Sequence, residues 1–297
     1  MTLSQAIDNF IEDKRMQFCT EKTIRNYRDI LTMFLNFAGD VEISEDVLHV
    51  VKAYNIHLLD RKISSASVAT YLRHLKAFFN YLEEDSILRE GSVARRIKLP
   101  KTPKKNLALL TPADINFIFH SVKEESEWLI ARNKLIIALM LDSGLRQAEV
   151  CKIINKDINY ERHIMLIHGK GNKDRYVPLG LITTDMIERY RSLCPYIKPY
   201  LICDRRGNRI TENAIKKFMS KLRKSTGISD LSSHKLRHNF ATNWCLDRLK
   251  QYGHADPYQL MILMGHDDLK TTDKYIHGAY QIYSALNSQS HLDSIIP

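Results

Sequence analysis

Cysteine is sparse. The five that occur, Cys19, Cys151, Cys194, Cys203 and Cys245, are odd in number, scattered and never spaced C-x-x-C. That pattern argues against a disulfide framework or a zinc ribbon and fits a reducing, cytoplasmic setting. Long apolar runs are missing too: "LIIALML" at 135–141 is the longest, far below the roughly 18–20 residues needed to span a bilayer. The N-terminal "MTLSQAIDNF" lacks the basic-then-apolar layout of a secretory leader. Neither G-x-x-x-x-G-K-[ST] nor H-E-x-x-H occurs, which removes a P-loop and a zincin helix from consideration. No carboxylate cluster suggests a Mg²⁺ site, and no fixed-period repeat or low-complexity tract is visible.

Positive charge is in excess. Lys and Arg number 44 against 34 Asp and Glu, a net charge of +10, which favours a polyanionic partner, nucleic acid before an anionic membrane surface. With 44% hydrophobic and 26% charged residues over 297 positions, the chain reads as globular and long enough for one large domain or two ordinary ones. The first hundred residues carry helical periodicity: Leu3, Ala6, Ile7, Phe10 and Ile11 share one face. A second helix is expected from an N-cap at Thr20 to a stop at Gly39, a third over about 44–60, and a fourth over 65–84 with Val68, Tyr71, Leu72, Leu75, Phe78 and Phe79 on one side. "RRIKLPKTPKKN" at 95–106, with two prolines and six basic residues, has the composition of an exposed linker or of a basic strap across a phosphate backbone.

After the linker the pattern restarts at Thr111-Pro112, an N-cap followed by proline in the first turn. "ARNKLIIALMLDSG" predicts a buried helix ended by Gly144. "DINYERHIMLIHGKGNKDRYVPL" then changes to strand-like alternation around a "GKGN" turn, so a small antiparallel sheet is expected before helices resume at Thr211.

Chemistry concentrates in four short stretches. "SGLRQAE" places Arg146 after a glycine break, with Glu149 three positions on. "GKGNK" places Lys170 in a hairpin tip. "HKLR" puts His234 and Arg237 on one helix face, and "LMGH" supplies His266, with Tyr275 nine positions later. Arginine forks match phosphate oxygens. Phosphoryl transfer without a metal needs cations and a nucleophile from the protein, and Tyr275 is a candidate nucleophile.

The ordered series Arg146, Lys170, His234, Arg237, His266 and Tyr275 resembles the catalytic signature of the tyrosine recombinases, or phage-type integrases, above all their compact Xer-like members. The likeness runs over nearly the whole chain: "TEKTIRNYRDILTMFLNF" is similar to the family's N-terminal core-binding helices, "GKGNKDRYVPL" to its catalytic hairpin and "TTDKYIH" to its nucleophile segment. It implies a mainly helical protein. Residues 1–98 would form a helical, SAM-like core-binding domain on DNA and 99–106 a basic linker. Residues 107–297 would form a mixed, mostly helical catalytic domain with a small sheet and a C-terminal tail exchanged between protomers.

The implied activity is site-specific recombination of double-stranded DNA through a 3′-phosphotyrosyl intermediate, by a tetramer on DNA, with no cofactor or metal and no membrane partner. In the implied roles Tyr275 attacks, Arg146 and Arg237 hold the phosphate and Lys170 protonates the leaving oxygen. His234 manages the tyrosine proton, His266 hydrogen-bonds the phosphate and Glu149 supports the site. Lys98, Lys101, Lys104 and Lys105 of the linker, with Lys173 and Arg175 of the hairpin, are candidate DNA contacts.

Each residue also has an ordinary reading: Arg146 as a helix-start partner of Glu149, Lys170 as a solvated turn lysine, His234 and His238 as an i, i+4 metal pair without a third ligand. Lys173 competes for the role of Lys170, and Tyr280 and Tyr283 compete with Tyr275. A catalytically silent DNA-binding accessory protein is the alternative function. The stretch 245–259, with His254 and Tyr258, is longer than the compact family pattern.

Overall fold

Apolar residues recur every three or four positions through the first hundred residues, and each stripe becomes a buried helix face. The computed structural model describes residues 1–101, 108–169, 173–288 and 295 and divides into two compact units, 1–106 and 107–297. The first unit holds α1 (Leu3–Met16), α2 (Glu21–Ala38), α3 (Val47–Asp60) and α4 (Ser65–Glu84). Thr2, Thr20 and Ser64 cap three of these helices, each hydroxyl accepting the backbone N–H three residues on, at Gln5, Thr23 and Ser67. Phe10, Phe34, Phe78 and Phe79 are fully buried. Phe10 meets Phe78 edge-on at 5.6 Å, the arrangement that ring quadrupoles favour. Beyond α4, the Glu83 carboxylate accepts the backbone N–H groups of Gly91, Val93 and Ala94 and so fastens the loop to the helix end. Lys98 and Lys101 are exposed; Lys104 and Lys105 lie outside the described residues.

The second unit opens with α5 (Pro112–His120), begun by a reciprocal capping box between Thr111 and Asp114. α6 (Glu127–Asp142) runs through the core, with Leu135, Ile136, Ile137, Leu139 and Met140 fully buried. A one-turn helix, α7 (Gln147–Val150), leads to the sheet β1 (Ile158–Asn159), β2 (Ile164–Ile167) and β3 (Arg175–Pro178), antiparallel in sequence order. The register pairs Met165 with Val177 and Ile167 with Arg175. These four residues, on the alternate positions of each strand, are the buried ones. Four helices complete the unit after α8 (Leu181–Leu193): α9 (Glu212–Thr226), α10 (Ser233–Tyr252), α11 (Pro257–Met264) and α12 (Leu269–Asn287). The fold is thus mainly helical with one small antiparallel sheet, as the pattern predicts. The segment 181–193 forms a helix that buries Thr183, Ile187 and Tyr190.

Gly144 ends α6 at φ +63°, a left-handed conformation that glycine adopts without the cost a Cβ imposes. A Cβ there would lie 2.2 Å from Cδ1 of Phe240. Gly144→Ala therefore combines backbone strain with overpacking. It should lower unfolding stability by about 2–4 kcal/mol, read as a reduced urea midpoint at unchanged slope.

Candidate active site

Arg146 precedes α7, and Glu149 occupies the third position of that helix. The carboxylate reaches back to accept the Arg146 backbone N–H at 2.7 Å and its guanidinium at 2.9 Å. Arg175, at the start of β3, donates to both oxygens of the same carboxylate at 2.8 and 2.9 Å. Arg237, one turn into α10, places Nη1 3.7 Å from it. Three guanidiniums thus surround one carboxylate that is 6% exposed. Burial alone would raise the Glu149 pKa; the hydrogen bonds and charge of Arg175, with those of Arg146, overcome that and hold it at about 2.

Other N–H groups of the three guanidiniums are directed at helix ends. Arg175 Nε donates to the Leu263 carbonyl at 2.8 Å, Arg146 to Gly265 at 2.6 Å, and Arg237 to Gly144 at 2.6 Å and to Met264. The last carbonyls of α6 and α11 lack intrahelical partners and lie at the negative ends of their helix dipoles, so cations satisfy them twice over. Gly265 caps α11 in the left-handed region, and a Cβ there would meet Arg175 Nη1 at 2.9 Å. Arg237 is 4% exposed. Its pKa is lowered to about 10, by burial first and then by the charge of Arg146, so it stays cationic at neutral pH.

His266 sits against this cluster. Its Nε2 is 3.2 Å from Arg237 Nη2, and its Nδ1 is 2.9 Å from the Thr272 hydroxyl. A guanidinium only donates, so Nε2 accepts and the proton is assigned to Nδ1. Burial, then Arg237 and Arg146, hold the His266 pKa at about 4, so the ring is neutral at physiological pH.

Tyr275 on α12 is 1% exposed. Its ring stacks on His266 at 6.1 Å and leans on His238 at 5.0 Å, while Lys274 Nζ lies 4.8 Å from the ring centre. His234, in the first turn of α10, remains exposed. Its pKa is lowered by partial burial first, then by the charges of Lys274 and Arg237, which keeps it in the neutral, proton-accepting form.

Arg146, Glu149, Arg237, His266 and Tyr275 are therefore brought together, with His234 in the electrostatic field of the same cluster. Lys170 lies outside the described residues. Lys173 is exposed and pairs with Asp267 at 2.6 Å. Arg175 departs from its expected place as a DNA contact: it is 7% exposed, and its guanidinium is committed to Glu149 and Leu263. The two-residue strand period, which puts Val177 inside, puts Arg175 inside as well, and that signal was legible in "DRYVPL".

His238 and Thr272 were missed as members of the site. The i, i+4 spacing of His238 from His234 has no third ligand to complete a metal site, and His238 faces the Tyr275 ring. Among the described residues no group of three His, Cys, Asp or Glu could hold a metal ion. A cleft of about 670 Å³ opens over Arg146, His168, Lys173 and His266.

A buried cationic cluster around a single carboxylate, with a tyrosine packed against its histidine, has the chemical groups that phosphoryl transfer without a metal requires: cations to bind a phosphate and a side chain able to act as nucleophile. Comparison with known proteins places this class. Residues 108–281 match the phage integrase family, and residues 7–88 match the phage integrase N-terminal SAM-like domain. The chain belongs to the phage integrase family, the tyrosine recombinases, enzymes that cut and rejoin DNA strands.

Tyrosine recombinase XerC of Staphylococcus aureus (strain bovine RF122 / ET3-1) is 28% identical over 274 residues, covering 88% of each chain. XerC of Staphylococcus epidermidis (strain ATCC 12228 / FDA PCI 1200) is 29% identical over 272 residues, again at 88% of each. Among solved structures, the fold matches a lambda integrase dimer bound to a COC′ core site at TM-score 0.74 and 17% identity, over 93% of this chain and 95% of that one. It matches the Tn1549 transposon integrase in complex with circular intermediate DNA at TM-score 0.73 and 19% identity, over 99% and 98%. Among the described residues no helix is long and apolar enough to cross a membrane.

Proposed function

We propose that Tyr275 attacks the scissile phosphate of a specific double-stranded DNA site, forming a 3′-phosphotyrosyl bond and releasing a 5′-hydroxyl. Arg146 and Arg237 hold the non-bridging oxygens, Lys170 gives its proton to the leaving 5′ oxygen, and His234 accepts the tyrosine proton. The observation that carries this reading is the convergence of Arg146, Arg237, His266 and Tyr275 within one unit. Three guanidiniums there share a single carboxylate and leave positive charge for a phosphate to balance.

Phosphate entry draws Arg237 away from His266 Nε2 and supplies the anion that restores a proton to the imidazole, so that His266 donates to the phosphate. Because Tyr275 is buried, α12 shifts to present the hydroxyl. The substrate class is supported by the net charge of +10 and by the DNA-bound integrases that share the fold. In this reading the helical region 1–98 and the basic linker 99–106 bind the same duplex as the catalytic region. Leu286, 73% exposed, begins a tail that packs on the next protomer of a tetramer, in the cytoplasm.

The test is a nicked suicide duplex, from which the cleaved strand end diffuses away. A covalent protein–DNA adduct on a denaturing gel, formed equally well in chelator, supports strand transfer. Specific binding without an adduct identifies the silent accessory protein instead. Lys170 has its own test. Lys170→Ala should slow cleavage of the normal substrate by about 10²–10⁴-fold, the usual worth of a general acid. It should cleave a substrate with sulfur at the leaving 5′ position nearly as fast as wild type, because a thiolate leaves without a proton. Equal defects on both substrates move the role away from Lys170, to Lys173 or elsewhere.

A further inference from the structure

The hairpin between β2 and β3 is closed at its base by a cluster that none of the roles above uses. His168 directly follows β2. Its Nδ1 is 2.9 Å from Oδ2 of Asp174 on the returning limb, and its Nε2 is 3.1 Å from Oδ2 of Asp157 in the 3₁₀ turn Asn155–Asp157 before β1. An ionised carboxylate accepts and never donates, so both ring nitrogens must carry protons: the geometry is that of an imidazolium. The Asp157 side chain is 7% exposed, against 43% for His168 and 40% for Asp174. A carboxylate so far out of water requires a donor, and His168 provides one with a matching charge.

We propose that His168, as an imidazolium, is a positioning residue for the catalytic hairpin, fixing the separation of its two limbs at Gly169 and Lys173 and pinning both to the turn before β1. The inference rests on the strand-transfer reading, in which this hairpin delivers the leaving-group proton. A connected path links the pin to the site. Asp174 adjoins Lys173, Lys173 Nζ reaches Asp267 at 2.6 Å, and Asp267 follows His266. His168, Lys173, Arg146 and His266 line the same cleft.

The groups facing His168 decide the sense of its titration. Asp174 from the β3 side and Asp157 from the turn favour the proton, as do the carboxylates Glu149 and Asp267 that line the cleft; Lys152, Lys173, Arg146 and Arg175, lining the same cleft, oppose it. The carboxylates prevail: the His168 pKa is raised, by the Asp174 hydrogen bond first, against a smaller opposing effect of burial. The pin is therefore closed below the raised value and opens as pH rises through it, so its loss appears on the alkaline side of the titration.

The experiment measures single-turnover cleavage of the suicide duplex by wild type, His168→Gln and His168→Arg from about pH 6 to about pH 9, which spans the imidazole range. Substrates carry oxygen or sulfur at the leaving position. His168→Gln should bind DNA as wild type does. It should cleave the oxygen substrate about 10- to 100-fold more slowly, the usual cost of a small misplacement, and cleave the sulfur substrate at nearly the wild-type rate. His168→Arg, a permanent cation able to bond both carboxylates, should restore the rate and remove the alkaline decline.

Wild-type speed in His168→Gln overturns the proposal. So does an equal defect on both substrates when Lys170→Ala is rescued by sulfur, or a His168→Arg no better than His168→Gln. If sulfur fails to rescue Lys170→Ala, the general-acid assignment is at fault. Hydrogen exchange over residues 166–176 then decides: faster exchange in His168→Gln and wild-type exchange in His168→Arg uphold the pin, and unchanged exchange in His168→Gln refutes it.

Discussion

Tyr275→Phe should abolish the covalent protein–DNA adduct on a suicide duplex and leave DNA affinity within about twofold of wild type, a change of about 0.4 kcal/mol or less. The substitution removes one oxygen and keeps the ring that packs between His266 and His238, so the small C-terminal core of Phe240, Leu260, Met264 and Ala279 is preserved. A phenol is a weak nucleophile at neutral pH and needs a base and a cationic surround. In the proposed mechanism His234, whose pKa is lowered, and the guanidiniums of Arg146 and Arg237 would meet both needs. Tyr280→Phe and Tyr283→Phe should retain the adduct: Tyr280 is 39% exposed and Tyr283 only partly buried on the same helix. An adduct on Tyr275→Phe would remove the nucleophile assignment and the phosphotyrosyl mechanism with it.

Glu149→Gln should be the most damaging substitution for stability in the site, by about 3–5 kcal/mol. The amide keeps the shape of the side chain and loses the charge, leaving Arg146, Arg175 and Arg237 to face one another, two of them buried. The same interaction appears in the wild type as acid sensitivity. The Glu149 pKa falls from its ordinary 4.5 to about 2. Its contribution is therefore fully present above about pH 4.5 and lost as pH drops through about 2. A shift of that size corresponds to about 3 kcal/mol. Urea unfolding at neutral pH and at about pH 3, roughly midway through that window, should show wild type losing stability on acidification and Glu149→Gln losing markedly less. Parallel losses would place the acid dependence in other carboxylates.

Much of the local architecture was readable in the residues. Thr20 and Thr111 cap helices where their hydroxyls suggested. Gly39 and Gly144 end helices because only a residue without Cβ turns left-handed at no cost. The alternation around "GKGN" gave the hairpin its register. Such signals are short-range: caps, stops and strand periods depend on residues within one or two turns of each other. The series Arg146, Glu149, Arg237, His266 and Tyr275 was picked out for another reason: a reaction that needs several donors on one phosphate would constrain residue types wherever they fall in the chain, and the fold brings these residues together.

What the linear chain could not determine was burial and partnership inside the site. Arg175 reads as one more hairpin cation beside Lys173, yet one is sealed against Glu149 and the other stays exposed on Asp267. His238 had no assigned part in the site and is a wall of the Tyr275 pocket. The neutral tautomer of His266 is set by Arg237 and Thr272 together.

The sequence by itself determined the class of chemistry, the helical architecture and the family, because residue types and their local spacing carry those. Only the tertiary structure decided which arginine is sealed against Glu149, that Tyr275 is buried, and that His168 is held between two carboxylates. These properties come from contacts between residues as far apart as Arg146 and Gly265, 119 positions along the chain. Both hydrogen-bond partners and loss of solvent arise only when such distant segments meet.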